Sequence, residues 1–329
     1  RIVGGERGDE AEVYSILSRG VVSLTGTYYK EERGGYVSPD NRKYFEDVRV
    51  VGGRRRAFSG EKVLVKITAW PEGRKPEGEI EEVLGRGGDL SVEEEALIKT
   101  YGLAEGFTQK VLSEGRRVAA EKMPLAGRRD FRDVLTITID GEDARDFDDA
   151  ISIEKLEDGF LLGVHIADVS HYVRRGGALD REAYARGTSV YFPDRVLPML
   201  PFELSNGICS LREGEDRLTL SCVMRVDQKG RVTEPDIAES VIRSRNRMTY
   251  TNVTKILDGD PELCERYAHL VPMLQNCREL AQILMRKRAP PGSVDLDVKE
   301  AKITVSEGGE ISVSVYERTI SHRMIEEFM

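Results

Sequence analysis

The chain has 329 residues, 33% charged and 40% hydrophobic, with 49 Lys+Arg against 58 Asp+Glu and a net charge of −9. That length admits two domains and the apolar fraction fills a core, which excludes wholesale disorder. No run approaches the roughly 18 apolar residues of a membrane span, and no basic-then-apolar leader opens the chain, so no membrane association is expected.

An excess of acid argues at first against a nucleic-acid partner, but its location matters. Residues 1–130 balance, with 23 basic and 23 acidic side chains, whereas residues 131–160 carry 10 acidic against 3 basic (Arg132, Arg145, Lys155). Cys209, Cys222, Cys264 and Cys277 show no C-x-x-C pairing, which speaks against zinc and for a reducing, cytoplasmic setting.

In chain order, residues 20–70 read as short β-strands: Val21 to Tyr29, a turn at Gly34–Gly35, Tyr36–Val37, a turn at Ser38–Pro39–Asp40–Asn41, then Arg49–Val51 and Val63–Ile67. Such spacing fits a small barrel. Tyr28, Tyr29, Lys30, Tyr36, Arg42, Lys43, Tyr44, Phe45 and Arg54–Arg56 interleave rings with cations, the mixture with which an oligonucleotide-binding barrel stacks bases and holds phosphates. Equally, half of those rings are core and the arginines a solvated loop.

Residues 71–90, rich in Gly, Pro and Glu, read as a connection, and Ser91-Val-Glu-Glu94 as a capping box opening a helix through Tyr101. A second helix is expected from Phe107 to Ala120. Leu135–Ile139, Ala150–Ile153 and Phe160–Ile166 alternate as three strands, with Phe160, Leu162, Val164 and Ile166 on one face. Asp260–Pro261 is an N-cap followed by proline at the first helical position, and the spacing from Leu263 to Leu284 predicts one long helix that stops before Pro290. A hairpin turning at Gly308–Gly309 and a helix from about Ser321 complete a mixed α+β domain.

The segment with most chemical content lies between the first two of those three strands. Asp140, Glu142, Asp143, Asp146, Asp148 and Asp149 put six carboxylates into ten residues, which repel one another unless cations or protons intervene. Hard oxygen donors at this density suit Mg²⁺, with Mn²⁺ as the alternative, and point to phosphoryl-transfer or phosphodiester chemistry. A calcium loop does not fit, because Arg145 stands where its glycine belongs and Ile151 where its glutamate belongs. An aspartate phosphatase would want a second Asp where Glu142 stands. A solvated acidic turn is the plain alternative, though Phe147 embedded in the loop speaks against it.

At these residues the sequence resembles the RNase II/RNase R (RNB-domain) family of exoribonucleases. The run from Asp140 to Ile151 is similar to the family's catalytic signature, and the likeness continues through His165–Val173, Arg186–Pro201, Leu204–Leu211, Asp216–Leu218 and Arg247–Tyr250. The resemblance implies an α+β fold. An N-terminal cold-shock, OB-like β-barrel over residues 1–85 leads through a helical connection over 86–130 into a mixed α+β RNB catalytic domain over 131–329. The first 20 or so residues read as the tail of a preceding module, and the catalytic domain as incomplete at its C-terminus.

The activity implied is processive, two-Mg²⁺ hydrolysis of single-stranded RNA from its 3′ end to nucleoside monophosphates. It implies a metal site at Asp140, Asp146, Asp148 and Asp149, with Asp148 most tied to the chemical step and Asp146 beside it, and Glu142 and Asp143 as loop surface. It implies RNA contacts at Tyr191, which packs on terminal nucleotides, at Tyr250, which stops the shortest product, and at Glu326 or Glu327 near the reacting end. Tyr28 and Tyr36 are the barrel's expected contacts, and a monomer is expected. Leu296 stands where the family often has a clamping phenylalanine. An arginine that activates the scissile phosphate, and an S1 domain, fall in the part of the family beyond residue 329. The rival readings are a noncatalytic RNA-binding protein with a vestigial acidic loop, an inactive fragment of the exonuclease, and a metal phosphatase, which leaves Tyr191 and Tyr250 without a role.

Overall fold

The computed structural model describes residues 2–5, 8–11, 13–32, 34–41, 43, 46–52, 55–288, 301–306, 311–315 and 317–329. Arg42, Tyr44, Phe45, Arg54, Leu296 and the turn at Gly308–Gly309 therefore lie outside the described residues. The chain divides into two compact units, Arg1–Glu105 and Gly106–Met329.

The first unit begins with a hairpin of β1 (Ile2–Gly5) and β2 (Gly8–Ala11). Five strands then close a barrel: β3 (Ser23–Glu31), β4 (Gly34–Pro39), β5 (Val48–Val50), β6 (Glu61–Ala69) and β7 (Glu77–Arg86), in the order β3-β4-β5-β7-β6. Val37, Val48, Val63 and Val65 fill it. β7 occupies the segment read as a connection. Its sequence is dominated by glutamates on the solvent face, with Gly78 and Ile80 turned inward, so period-two alternation is carried by few apolar residues. α1 (Leu90–Tyr101) follows; its N-cap is Asp89, and Glu93 reaches back to the Gly88 N–H at 2.9 Å, so the helix starts before the expected Ser91 box. Gly102, in the left-handed conformation, ends it.

The second unit opens with α2 (Gln109–Ala119), capped by Thr108. Its sheet contains β8 (Arg129–Asp130), β9 (Ile137–Asp140), β10 (Asp149–Leu156) and β11 (Gly159–Ala167). The short helices α3 (Val169–Tyr172) and α4 (Ala178–Arg186), the ribbon of β12 (Val190–Tyr191) and β13 (Val196–Leu197), and a π-helical turn at Glu203–Ile208 come next. β14 (Asp216–Asp227), β15 (Val232–Arg243) and β16 (Asn246–Thr249) complete the seven-stranded sheet, ordered β16-β9-β10-β11-β14-β15-β8.

α5 (Tyr250–Leu257), α6 (Pro261–Arg266) and α7 (Val271–Arg288), the hairpin of β17 (Ala301–Val305) and β18 (Ile311–Val315), and α8 (Ile320–Phe328) finish the chain. Asp260 caps α6 by accepting from the Leu263 N–H, as its spacing suggests. The single long helix is nevertheless two, because Pro272 has no N–H to continue a helix across Tyr267–Leu270 and is tolerated at the start of α7. α5, α7 and α8 cover one sheet face, where Ile137, Ile139, Ile151, Phe160, Leu162 and Met248 meet Leu270, Leu274 and Met324. Ile166 lies on the same face of β11 by its register but is 41% exposed. Among the described residues no helix is long and apolar enough to cross a membrane.

On the opposite face lies a buried polar layer. His165, 1% exposed, shares hydrogen bonds with Ser152 through Nε2 (3.1 Å) and with Ser221 through Nδ1 (2.6 Å), and Ser221 and Thr219 continue to Ser240. Gly163 has to be glycine for this, since a Cβ there would stand 2.3 Å from Ser152 Oγ. Burial pushes the His165 pKa down to about 4. Between the unfolded value near 6.5 and about 4 the unfolded chain binds a proton that the folded chain refuses, so this residue removes stability as pH falls through that window. We expect the urea-unfolding free energy of the native protein, relative to His165→Gln, to drop by about 3 kcal/mol between pH 7 and pH 4; a pH-independent difference would show that His165 does not titrate in this way.

Candidate active site

β9 carries Ile137–Ile139 through the core and ends at Asp140; β10 resumes at Asp149. The intervening loop hangs from one end of the sheet on strands whose register the core sets. β16 lies parallel to β9 with Thr249 beside Asp140, so Tyr250, the first residue of α5, opens next to the acidic loop. The loop's backbone is held from below. Phe147 is buried with Ala150, Ala167, Leu211 and Ile242; its N–H donates to Ser210 Oγ (3.1 Å), which donates to the Arg145 carbonyl (2.9 Å). The Leu211 N–H donates to the Phe147 carbonyl and the Ala167 N–H to the Asp148 carbonyl, each at 2.8 Å.

Arg247 closes the loop from the side. Its guanidinium donates to the carbonyls of Gly141 (2.5 Å) and Glu142 (2.9 Å) and sits 5.5 Å from the centre of the Phe147 ring. Neither Arg247 nor Ser210 stood out as functional in the sequence, although both fall in the blocks that resemble the family; their partners are 60 to 110 residues away, and nothing local marks them.

Burial and the neighbouring Asp149, opposed by Arg247, push Asp140 up to about 7, and its Oδ2 is buried without a hydrogen-bond partner. Partial burial, with Asp146 and Asp149 alongside, lifts Asp148 to about 6 even though its side chain reaches solvent. Burial also raises Asp149. Asp146 accepts a hydrogen bond from the hydroxyl of Tyr191 at 2.7 Å, which joins two residues singled out separately in the sequence. Tyr191 is 65% exposed on the β12–β13 ribbon; burial of its hydroxyl, with Asp146 against it, pushes its pKa to about 12.

Among the described residues no three of these carboxylates gather closely enough, as placed, to enclose one ion. By donor chemistry the set nevertheless fits a hard divalent cation: all donors are oxygens, their ionisation is mutually opposed, and one buried oxygen lacks any partner.

A cavity of about 550 Å³ adjoins the loop, lined by Gly141–Ala144, Tyr250, Lys255, Lys302, Thr319 and His322. Glu142, expected as plain loop surface, lines it, and a hydrogen bond from Thr251 lowers its pKa. Tyr250 stacks on His322, with ring centres 4.0 Å apart. Glu326, on α8, is ion-paired with Arg318, and Glu327 with Arg288, so neither carboxylate is bound to the acidic loop.

In the barrel, Tyr28 is a correction: it is 9% exposed and packs against Gly35 inside the core, so its ring is not presented at the surface. Tyr29 and Tyr36 are presented instead, stacked at 5.3 Å with Lys75 5.6 Å from the centre of the Tyr36 ring. The β-alternation that turns Tyr28 inward turns Tyr29 outward.

A seven-stranded α+β domain with four aspartates at one sheet end, in a chain that also forms a closed five-stranded barrel, defines an RNB-type protein with a cold-shock barrel. Residues 128–329 match the RNB domain family and residues 36–108 the Cold shock domain family; the chain belongs to the RNB-domain family. It is 43% identical over 338 residues to Ribonuclease R of Thermotoga maritima, covering 100% of this chain and 48% of that protein. It is 41% identical over 304 residues to Ribonuclease R of Acidithiobacillus ferrooxidans, covering 90% and 69%. Mycoplasma genitalium RNase R, solved in complex with double-stranded RNA, superposes with a TM-score of 0.80 at 26% identity over 97% of this chain and 57% of that one. The chain spans about half the length of the first curated relatives it matches.

Because Asp140 is charged only at the expense of a raised pKa, removing its charge relieves the metal-free fold. We expect Asp140→Asn in EDTA at pH 8 to raise the unfolding free energy by about 1–3 kcal/mol. A variant less stable than native in EDTA would refute the strain assigned to Asp140.

Proposed function

We propose that this chain supplies the barrel and the first part of the catalytic domain of a Mg²⁺-dependent 3′→5′ exoribonuclease that degrades single-stranded RNA processively to nucleoside monophosphates. The observation that carries the reading is the loop from Asp140 to Asp149, whose four aspartates stand at the sheet end with the Tyr191 hydroxyl on Asp146 and an unpartnered Asp140 oxygen among them. Names of relatives support it: the curated ones are ribonucleases, and the Mycoplasma protein was solved with RNA.

Asp140, Asp146, Asp148 and Asp149 would hold two Mg²⁺ ions, with Mn²⁺ as the substitute. When bound, the metal would polarise the scissile phosphate and make an attacking water nucleophilic near neutral pH. The protein's own part is to fix the carboxylates. Arg247 and Ser210 grip main-chain carbonyls, which leaves the carboxylate oxygens available, and Tyr191 orients Asp146 while its exposed ring offers a face to the terminal nucleotides. Asp148 takes the role closest to the chemical step. On this reading Tyr250 blocks further advance of the shortest product, and Glu326, ion-paired with Arg318, or Glu327, ion-paired with Arg288, is the acid near the reacting end.

Tyr29, Tyr36 and Lys75 give the barrel a sequence-tolerant surface for bases and phosphates. The protein works as a cytoplasmic monomer on this reading. A noncatalytic RNA binder would be expected to have lost part of the carboxylate set, and all four aspartates are present.

In the full-length protein, Asp148→Asn should lower monophosphate release by about 10²–10⁴-fold while RNA affinity in a filter-binding assay persists; near-normal turnover would sink the assignment. Tyr250→Ala should lengthen the smallest residual product on a labelled single-stranded RNA, whereas a native end product would leave Tyr250 as packing alone.

A further inference from the structure

A buried guanidinium supports the segment on which the acidic loop rests. Arg217, the second residue of β14, is 6% exposed, and its register partner on β15 is Ile242, which packs with Phe147 and Leu211 under the loop. Its donors go to main-chain carbonyls: Nε to Ser210 (2.8 Å), Nη1 to Asp216 (2.9 Å) and Nη2 to Gly207 (3.3 Å). The same guanidinium is ion-paired with Glu215. Gly207 leaves helical geometry inside the π-helical turn and Ser210 lies just past its end, where carbonyls have no helical partner.

Those carbonyls belong to the ledge that carries the loop. The Ser210 hydroxyl accepts from the Phe147 N–H and donates to the Arg145 carbonyl, so one side chain holds the peptide groups on both sides of Asp146. The Leu211 N–H holds the Phe147 carbonyl. Ser210 and Leu211 thus serve the loop as a neighbouring strand would, and Arg217 fixes them from behind.

The aspartates are therefore placed by two devices. Asp140 ends β9 and Asp149 begins β10, so the sheet sets both. Asp148 is shared, with the carbonyl before it held by Leu211 and its own by the Ala167 N–H. Asp146 depends on Ser210 alone for its flanking peptides. A lysine would neutralise Glu215 as well as an arginine does, but only the planar fork reaches three carbonyls at once. Charge does not explain an arginine here; the carbonyls do.

We propose that Arg217 is a positioning residue for Asp146, acting through Ser210 to aim that carboxylate at a bound divalent cation. This rests on the reading of the four aspartates as a metal site and deepens it, since one of the four is then aimed from β14 and not from the strands that flank the loop.

Binding of Mn²⁺ to the RNA-free full-length protein, followed through the EPR signal of the free ion, reads this without turnover. Residues that orient metal ligands from behind typically contribute about 10–100-fold in affinity. Arg217→Lys and Ser210→Ala should each weaken Mn²⁺ binding by that factor, measured well below the melting temperature of each variant. In the Asp146→Asn background, Arg217→Lys should produce no further loss, because its effect runs through the carboxylate already removed.

Native affinity in Arg217→Lys, whatever its melting temperature, overturns the role and leaves the guanidinium as a structural group. If Arg217→Lys does not fold, Ser210→Ala decides, and native affinity there overturns the role equally. A full further loss from Arg217→Lys in the Asp146→Asn background overturns it too, because it assigns the effect to the site at large. If the native protein binds no Mn²⁺, or Asp146→Asn binds it as the native protein does, the reading of the metal site falls first and the inference falls with it.

Discussion

Like charge held in place by a packed sheet is the constraint on which the rest of the second unit turns. Asp149 is paired with Ile166 across β10 and β11, and two residues on Ile151 faces Ile137 of β9 in the core. To separate Asp140 from Asp149 the strands would have to slide and withdraw isoleucines from the core, at about 1.5–3 kcal/mol for each side chain exposed. The strain remains in the fold as raised carboxylate pKa values, through burial first at all three groups and through neighbouring aspartates as well at Asp140 and Asp148. The site is thus stabilised by whatever neutralises it, a proton or a cation. Arg247 tempers Asp140 electrostatically, yet spends its donors on the Gly141 and Glu142 carbonyls. It fixes the loop without capping the acids it fixes.

The polar layer behind the sheet serves the same end. His165, Ser152, Ser221, Thr219 and Ser240 join β10, β11, β14 and β15 with hydroxyl and imidazole hydrogen bonds. An apolar layer would tolerate small lateral slips; a satisfied hydrogen-bond network loses its partners on any slip, and buried orphans are costly. Register on this face is therefore strongly specified. Since β10 begins at Asp149 and β11 ends beside it, the network bears on where the acidic loop stands.

How much of this was legible follows from how far apart the partners are. The acidic loop could be read because its six carboxylates fall within ten residues and its flanking strands alternate cleanly. The barrel could be read from Val-rich runs and turn residues, except β7, whose inward positions are a glycine and an isoleucine among glutamates. Pro272 was in plain view, but a three-four apolar rhythm runs straight across it, and period alone joined two helices into one. Tyr28 and Tyr29 are adjacent, and which of them faces the core depends on strand register, which neighbouring strands decide. The grip of Ser210 and Arg247 on the loop, and of His322 on Tyr250, joins residues between 63 and 106 positions apart; the blocks resembling the family contained several of them without indicating what they touch.

Where the charge sits also bears on how a polyanion is to be held. A strand of RNA approaching four uncompensated aspartates is repelled, so on the proposed reading its affinity has to be generated away from the scissile bond, with metal needed only at the reacting phosphate. The barrel is suited to that division: the chain up to residue 130, which contains it, is neutral in sum, and its Tyr29–Tyr36 stack, with Tyr29 exposed and Lys75 nearby, offers rings and a cation together. Stacking is indifferent to base identity and survives salt better than ion pairing does. A nonspecific degrader gains from both properties, because it must hold successive nucleotides alike while letting the chain advance. On the proposed reading, most of the acidic excess lies in the segment where divalent cations, and not lysines, would meet the phosphate.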